Sequence, residues 1–226
     1  MLERISSYES SLFLFLNSYH NNFLDSFMWF VSGKIEWVAF VLFMIYILIK
    51  KTSWKESLLI ILTIVLLATT CDQFTSSFCK PFFERLRPTH DPFFMNKVHI
   101  VNGYRGGLYG FVSSHAANSF GFAVFASLLL RHKFFTCAIF LWVVLVSYSR
   151  IYLGVHFISD VMAGMFVGGF WGYIYYVLYS KLGRRYLIRN STIKMPYLLY
   201  SNSTKYNLVF ALLLNISVLL FVSVFT

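Results

Sequence analysis

The chain has 226 residues, 58% of them hydrophobic and only 12% charged, with a mean hydropathy of +0.66. A soluble domain carries about 25% charged residues, so this composition excludes an ordinary soluble protein and points to a multi-spanning membrane chain. The net charge of +10 is scattered over short loops, which argues against nucleic-acid binding and for contact with anionic lipid or an anionic ligand.

Residues 1–27 mix polar and apolar side chains and predict an interfacial amphipathic helix. Six apolar spans follow, at about 35–50, 56–79, 114–130, 134–150, 156–180 and 207–225. Each approaches the roughly 17–25 residues that a crossing helix needs, the first and fourth falling slightly short. The expected fold class is therefore all-α: a polytopic membrane helical bundle of about six transmembrane helices with an N-terminal interfacial helix, in a single domain over 1–226. The basic loops at 50–55, 131–133 and 181–205 share one face if all six spans cross, and that face is expected to be cytoplasmic. The loop at 80–113 and the turn at 150–156 then lie on the opposite face, and their cations are committed to a site. The start of the chain is a poor signal peptide, with no basic lead and no small-residue cleavage site. Cys71, Cys79 and Cys137 form no CxxC or Cys/His cluster, so neither metal nor cofactor is expected.

Three polar clusters fall on that opposite face: "KPFFERLRP" with Lys80 and Arg87, "GFVSSHAAN" with Ser113, Ser114 and His115, and "SRIYLGVHFISD" with Arg150, His156 and Asp160. Charge at such depth is expensive and marks function. Arg grips phosphate oxygens through two parallel donors and Lys adds a point charge. Ser113 and the amides of Ser114 and His115 open a span, and a helix N-terminus attracts anions. His156 and Asp160, four apart, are expected on one helical face. Asp160 would accept a hydrogen bond from Nδ1–H, fixing the tautomer and leaving Nε2 as nucleophile, while His115 protonates the leaving oxygen. Taken singly, these residues have plainer readings. Lys80 and Arg87 would be snorkelling anchors, the His156–Asp160 pair a structural hydrogen bond, and Ser113 a helix cap. Asp72, inside a span, reads equally well as a structural or a functional group. Arg85, His90, Lys97 and Arg105 read as headgroup contacts or, preferred, as solvated loop residues; Tyr104, Tyr109 and Phe111 read as a pocket wall or, preferred, as loop packing.

The motifs Lys80-x6-Arg87-Pro88, Val112-Ser113-Ser114-His115 and Ser149-Arg150-x5-His156-x3-Asp160 resemble, in order and spacing, those of the type-2 phosphatidic acid phosphatase family. The resemblance covers about 56–180, which would be the catalytic core. It implies a metal-independent lipid phosphatase working through a phosphohistidine. By position, His156 is the nucleophile, Asp160 its partner and His115 the acid; Lys80, Arg87, Ser113, Ser114 and Arg150 hold the phosphate. Val112 and Ser114 stand where the family has Pro and Gly, which touches the detail of the anion pocket. The short architecture resembles the family's lipid A phosphatases and undecaprenyl diphosphate phosphatases, lipid A being preferred. Phosphatidylglycerol phosphate and phosphatidic acid are alternative substrates, a phosphotransferase is the nearest chemical rival, and a transporter or scaffold the rival from another class. The expected setting is the bacterial inner membrane, with the site facing the periplasm or cell exterior and a lipid phosphate as partner. Nothing in the sequence speaks to oligomeric state.

Overall fold

Asn21 divides the N-terminal segment. Its side chain accepts the Leu24 N–H at 2.8 Å, the usual work of an N-cap. The single helix expected over 1–27 is thus two, α1 (Leu2–Ser18) and α2 (Asn22–Ser32). α2 runs past residue 27 because Phe27, Met28 and Val31 form a buried face that keeps the helix paired with the core. The structure is a computed structural model that describes residues 2–33, 35–183 and 200–226. Among these residues it holds no strand, only an isolated bridge between Leu86 and Tyr109. Arg184, Arg185, Arg189 and Lys194 of the basic loop, and Lys34, lie outside the described residues.

After a 3-10 turn at Ile35–Trp37, α3 covers Val38–Lys51. α4 starts at Trp54, capped by Ser53, and passes through a π-helical stretch at Phe74–Cys79 to end at Phe83. Then come α5 (Ser114–Leu130), α6 (Lys133–Tyr152), α7 (Ile158–Val177, extended by a π turn at Leu178–Gly183) and α8 (Asn202–Val222). Among the described residues four helices, Trp54–Phe83, Lys133–Tyr152, Ile158–Lys181 and Asn202–Val222, are long and apolar enough to cross a membrane. The fourteen residues of α3 reach only about 21 Å, short of a bilayer's core of about 30 Å. The span expected at 35–50 reaches that length only together with α2, in a pair bent by 72°. With the shorter apolar α5, these helices account for the six predicted apolar segments, and the chain is a multi-pass membrane protein.

The centre of the bundle is the crossing of α5 and α7. Gly164, Gly168 and Gly172 repeat every four residues along α7. A Cβ on Gly168 would lie 2.1 Å from the Ala117 carbonyl oxygen, and one on Gly172 2.5 Å from that of Gly121. The two backbones therefore touch, as small-residue repeats allow where lipid supplies no hydrophobic drive. That contact carries through to the helix starts, where the Ser113 N–H donates to the Asp160 carbonyl at 3.0 Å. Gly154, at φ +70°, turns the chain between α6 and α7. A side chain there would meet Val98 at 2.2 Å, so the turn that presents His156 depends on glycine.

Candidate active site

A cavity of about 560 Å³ opens among α2 to α6 and the loop before α5. Lys80, Arg87, Ser114, His115, Arg150 and His156 line it at the helix ends and loops, and Leu67, Phe122, Trp142 and Val146 line it one or more turns further along the same helices, with Phe40 and Met44 of α3. The loop end is thus cationic and imidazole-rich, and the deeper lining mostly apolar, with Asp72, Ser76 and Asn118 among it.

Each polar group is held from a different element. Lys80, at the end of α4, donates to Ser114 Oγ at 2.9 Å and to Ser76 Oγ, one turn back, at 3.2 Å. Arg87 sits on loop backbone clamped by two bonds, its own N–H to Leu108 O at 3.1 Å and Gly110 N–H to Arg85 O at 2.8 Å. Its guanidinium is buried and donates to the Val155 carbonyl and to His156 Nε2, both at 3.0 Å. Arg150, in the last turn of α6, donates to the Ser32 hydroxyl and lies 3.5 Å from the Tyr104 hydroxyl. The Nε–H groups of Arg87 and Arg150 are buried with no partner. Buried donors are normally satisfied, and two unspent guanidinium donors beside a cavity suit a phosphate.

The protonation of His156 follows from its neighbour. A guanidinium only donates, so Nε2 accepts and the neutral ring carries its proton on Nδ1. Burial, then the charges of Arg87 and Arg150, hold His156 well below its ordinary value of 6.5, so it is neutral at physiological pH. Burial, together with the Arg150 charge, pushes Arg87 down to about 10, leaving it cationic there. Nδ1 faces Asp160 Oδ2 at 3.4 Å but makes no hydrogen bond. The expected shared helical face does not exist. α7 begins at Ile158, so His156 lies in the preceding turn, and Asp160 Oδ2 accepts the Phe157 N–H at 2.9 Å.

Asp160 and Ser113 lie behind the cavity wall rather than on it. Ser113 is fully buried, its hydroxyl neither caps α5 nor finds another partner, and its contribution is the backbone bond to Asp160. Asp72 and Tyr104 line the cavity, so of the two readings of Tyr104 the structure takes the pocket wall, while Tyr109 and Phe111 do not line it. Among the described residues no cluster of three His, Cys, Asp or Glu could hold a metal.

Residues 57–184 match the family described as the PAP2 superfamily. The chain belongs to it. Two curated relatives are both named lipid A 4'-phosphatase. The one from Porphyromonas gingivalis is 44% identical over 186 residues, covering 82% of this chain and 79% of the relative. The one from Bacteroides thetaiotaomicron is 42% identical over 187 residues, covering 82% and 83%. The crystal structure of a transmembrane PAP2-type phosphatidylglycerolphosphate phosphatase from Bacillus subtilis superposes with a TM-score of 0.60 at 23% identity, covering 79% of this chain and 88% of that one. It shows the shared fold.

In this PAP2 member the Ser114 that replaces glycine adds a contact, its hydroxyl serving Lys80 and lying 2.7 Å from Thr75 Oγ1. Arg85 is not the solvated residue expected. It donates to Asp160 Oδ1 at 2.8 Å and to Glu9 Oε2 at 3.0 Å, and its guanidinium stacks 4.5 Å from the Phe157 ring. Glu9 and Ser32, upstream of the matched segment, escaped sequence reasoning because their partners lie 76 and 118 residues away. The glycine repeat of α7 was legible in its spacing and was missed. Arg87→Lys keeps one charge but cannot span Val155 O, His156 Nε2 and an anion together. Its kcat/KM for phosphate release is expected to fall about 10²-fold, the order for loss of a preorganised donor, while the kcat/KM of Lys97→Ala, in the same loop, stays unchanged.

Proposed function

We propose that this PAP2 member is a lipid A phosphatase of the bacterial inner membrane, hydrolysing a phosphate monoester at the periplasmic face through a phosphohistidine on His156. The observation that carries this reading is the cavity itself, in which a phosphate-binding end runs into an apolar slot within a membrane bundle. The two curated relatives, similar over most of the chain, favour lipid A, and the basic loops on the opposite face favour a periplasmic site.

The chemistry follows from the donors. Arg87, Arg150 and Lys80 hold the non-bridging oxygens and take up charge as it spreads in the transition state. His156 Nε2 attacks phosphorus, the bond to the lipid oxygen breaks, and His115 gives that oxygen a proton. His115 then takes a proton from water as the water attacks phosphorus. The P–N bond breaks, inorganic phosphate leaves and His156 is regenerated. The apolar slot takes an acyl chain.

Purified protein in detergent with EDTA is expected to release phosphate from lipid A faster than from undecaprenyl diphosphate, phosphatidylglycerol phosphate or phosphatidic acid. Faster release from one of the others would reassign the substrate. Release from none, or an equal rate from His156→Ala, would overturn the hydrolase.

A further inference from the structure

We propose that Glu9, on α1, is a positioning residue for the reaction: by sharing the charge of Arg85, it leaves the Asp160 carboxylate free to balance positive charge on His156. This rests on His156 being the nucleophile.

Arg85 lies between two carboxylates. One of its nitrogens reaches Asp160 Oδ1 at 2.8 Å and the other Glu9 Oε2 at 3.0 Å. The other oxygen of Glu9 accepts the Ser159 N–H at 2.7 Å, in the first turn of α7, where a negative charge also meets the positive end of the helix. Burial alone would raise the Glu9 carboxyl, but the bonds from Ser159 and Arg85 outweigh it and hold the group below its ordinary value, so it is ionised at neutral pH.

α1 is anchored for this task. Glu9, Phe13 and Asn17 recur every four residues and share a face. Phe13 is fully buried, its ring 5.2 Å from that of Phe157 and 6.0 Å from that of Phe94. Asn17 donates to the Tyr152 carbonyl at 2.7 Å and accepts the His99 N–H at 2.8 Å. One face of an interfacial helix is thus pinned across the turn that carries His156.

The charge count gives the reason. Arg87 from the loop, Arg150 from α6, Lys80 from α4 and His115 from α5 line the same cavity as His156, Arg87 at 3.0 Å from its Nε2, and their charges oppose protonation of its ring. Among the described residues, Asp160 is the carboxylate within 4.0 Å of its ring, at 3.4 Å. When Nε2 bonds to phosphorus, the ring turns cationic amid these cations. Glu9, Arg85 and Asp160 together carry one net negative charge that meets it. Without Glu9, Arg85 cancels Asp160, and the developing charge has no counterpart. The matched family segment begins at residue 57, so this support enters the site from outside it.

Glu9→Gln keeps the shape and an acceptor for Ser159 but removes the charge. Its kcat on lipid A is expected to fall about tenfold, the order of one lost charge-assisted contact, with KM and thermal stability in detergent unchanged. Loss of a nearby negative charge makes the ring less basic, so the acid limb of kcat/KM moves to lower pH. The His156 imidazole, followed by ¹⁵N NMR in detergent without lipid, titrates at correspondingly lower pH, a result that needs no turnover. Glu9→Asp is expected to recover part of the rate. A wild-type kcat with an unmoved limb and titration in Glu9→Gln would overturn the proposal. A rate that falls only in step with lost folded protein, with the titration unmoved, would make Glu9 merely structural. A wild-type protein inactive on every lipid would sink the His156 reading instead, a result the NMR titration keeps distinct.

Discussion

His156→Ala is expected to abolish phosphate release, lowering kcat by about 10⁴-fold or more, as deletion of a nucleophile from a preorganised site does. The ring is buried against Arg87, with Nε2 3.0 Å from the guanidinium and Nδ1 3.4 Å from Asp160. Alanine removes the attacking atom while leaving the Arg87 bond to Val155 O intact, so lipid binding should persist. Rapid quench of the wild type with labelled substrate is expected to trap an acid-labile, alkali-stable phosphoenzyme that the variant lacks. The pH dependence follows from the same environment. For His156 to attack as proposed, its ring must be neutral. A group held well below 6.5 by burial and neighbouring cations stays neutral as pH falls past that value. The acid limb of kcat/KM should therefore lie below the ordinary histidine range, and a limb at or above 6.5 would contradict the buried cationic setting.

Gly168→Leu is expected to cost about 10²-fold or more in activity from a position that does not line the cavity. A Cβ there would meet Ala117 O at 2.1 Å, and Ala117 C and Gly121 N at 2.9 Å, all of them backbone atoms that no rotamer change can move aside. α5 and α7 would have to separate. Their crossing sets the Ser113 N–H against the Asp160 carbonyl, and so sets His115 relative to His156. A shift near 1 Å between reacting groups costs about 10²-fold, and the longer side chain forces more. Activity is expected to fall at least that far, with a lower thermal midpoint in detergent. Phe166→Leu, on the outer face of α7 at 80% exposure, should leave both unchanged. Wild-type activity in Gly168→Leu would show that the crossing does not hold the site.

Much of this molecule was legible because hydropathy and spacing act locally. Apolar windows located the spanning helices, and the three motifs located Lys80, Arg87, Ser114, His115, Arg150 and His156, which the fold gathers round one cavity. Local periodicity misled where a helix boundary intervened: His156 and Asp160 are four apart, yet α7 starts between them, and their contact is made across a turn. The hydroxyl of Ser113 carried a motif position, but the α5–α7 contact turns it away from the cavity. Arg85 looked like one more loop cation, since its value depends on Glu9 and Asp160, 76 and 75 residues away. Pairings at that range are decided by tertiary packing, of which a single sequence carries no local trace.

The bond between Arg87 and His156 has a consequence for the idle enzyme. On the proposal that His156 Nε2 attacks phosphorus, its lone pair is already engaged, and by a cavity-lining side chain that an incoming phosphate would claim. The reactive atom is thus sheathed until its target arrives to unsheathe it. Lipids without a phosphate offer Arg87 no better acceptor than the imidazole, whereas a phosphate oxygen does. On the proposed reaction this interlock answers to phosphate before any chemistry begins, and inorganic phosphate, its product, would compete for the same latch.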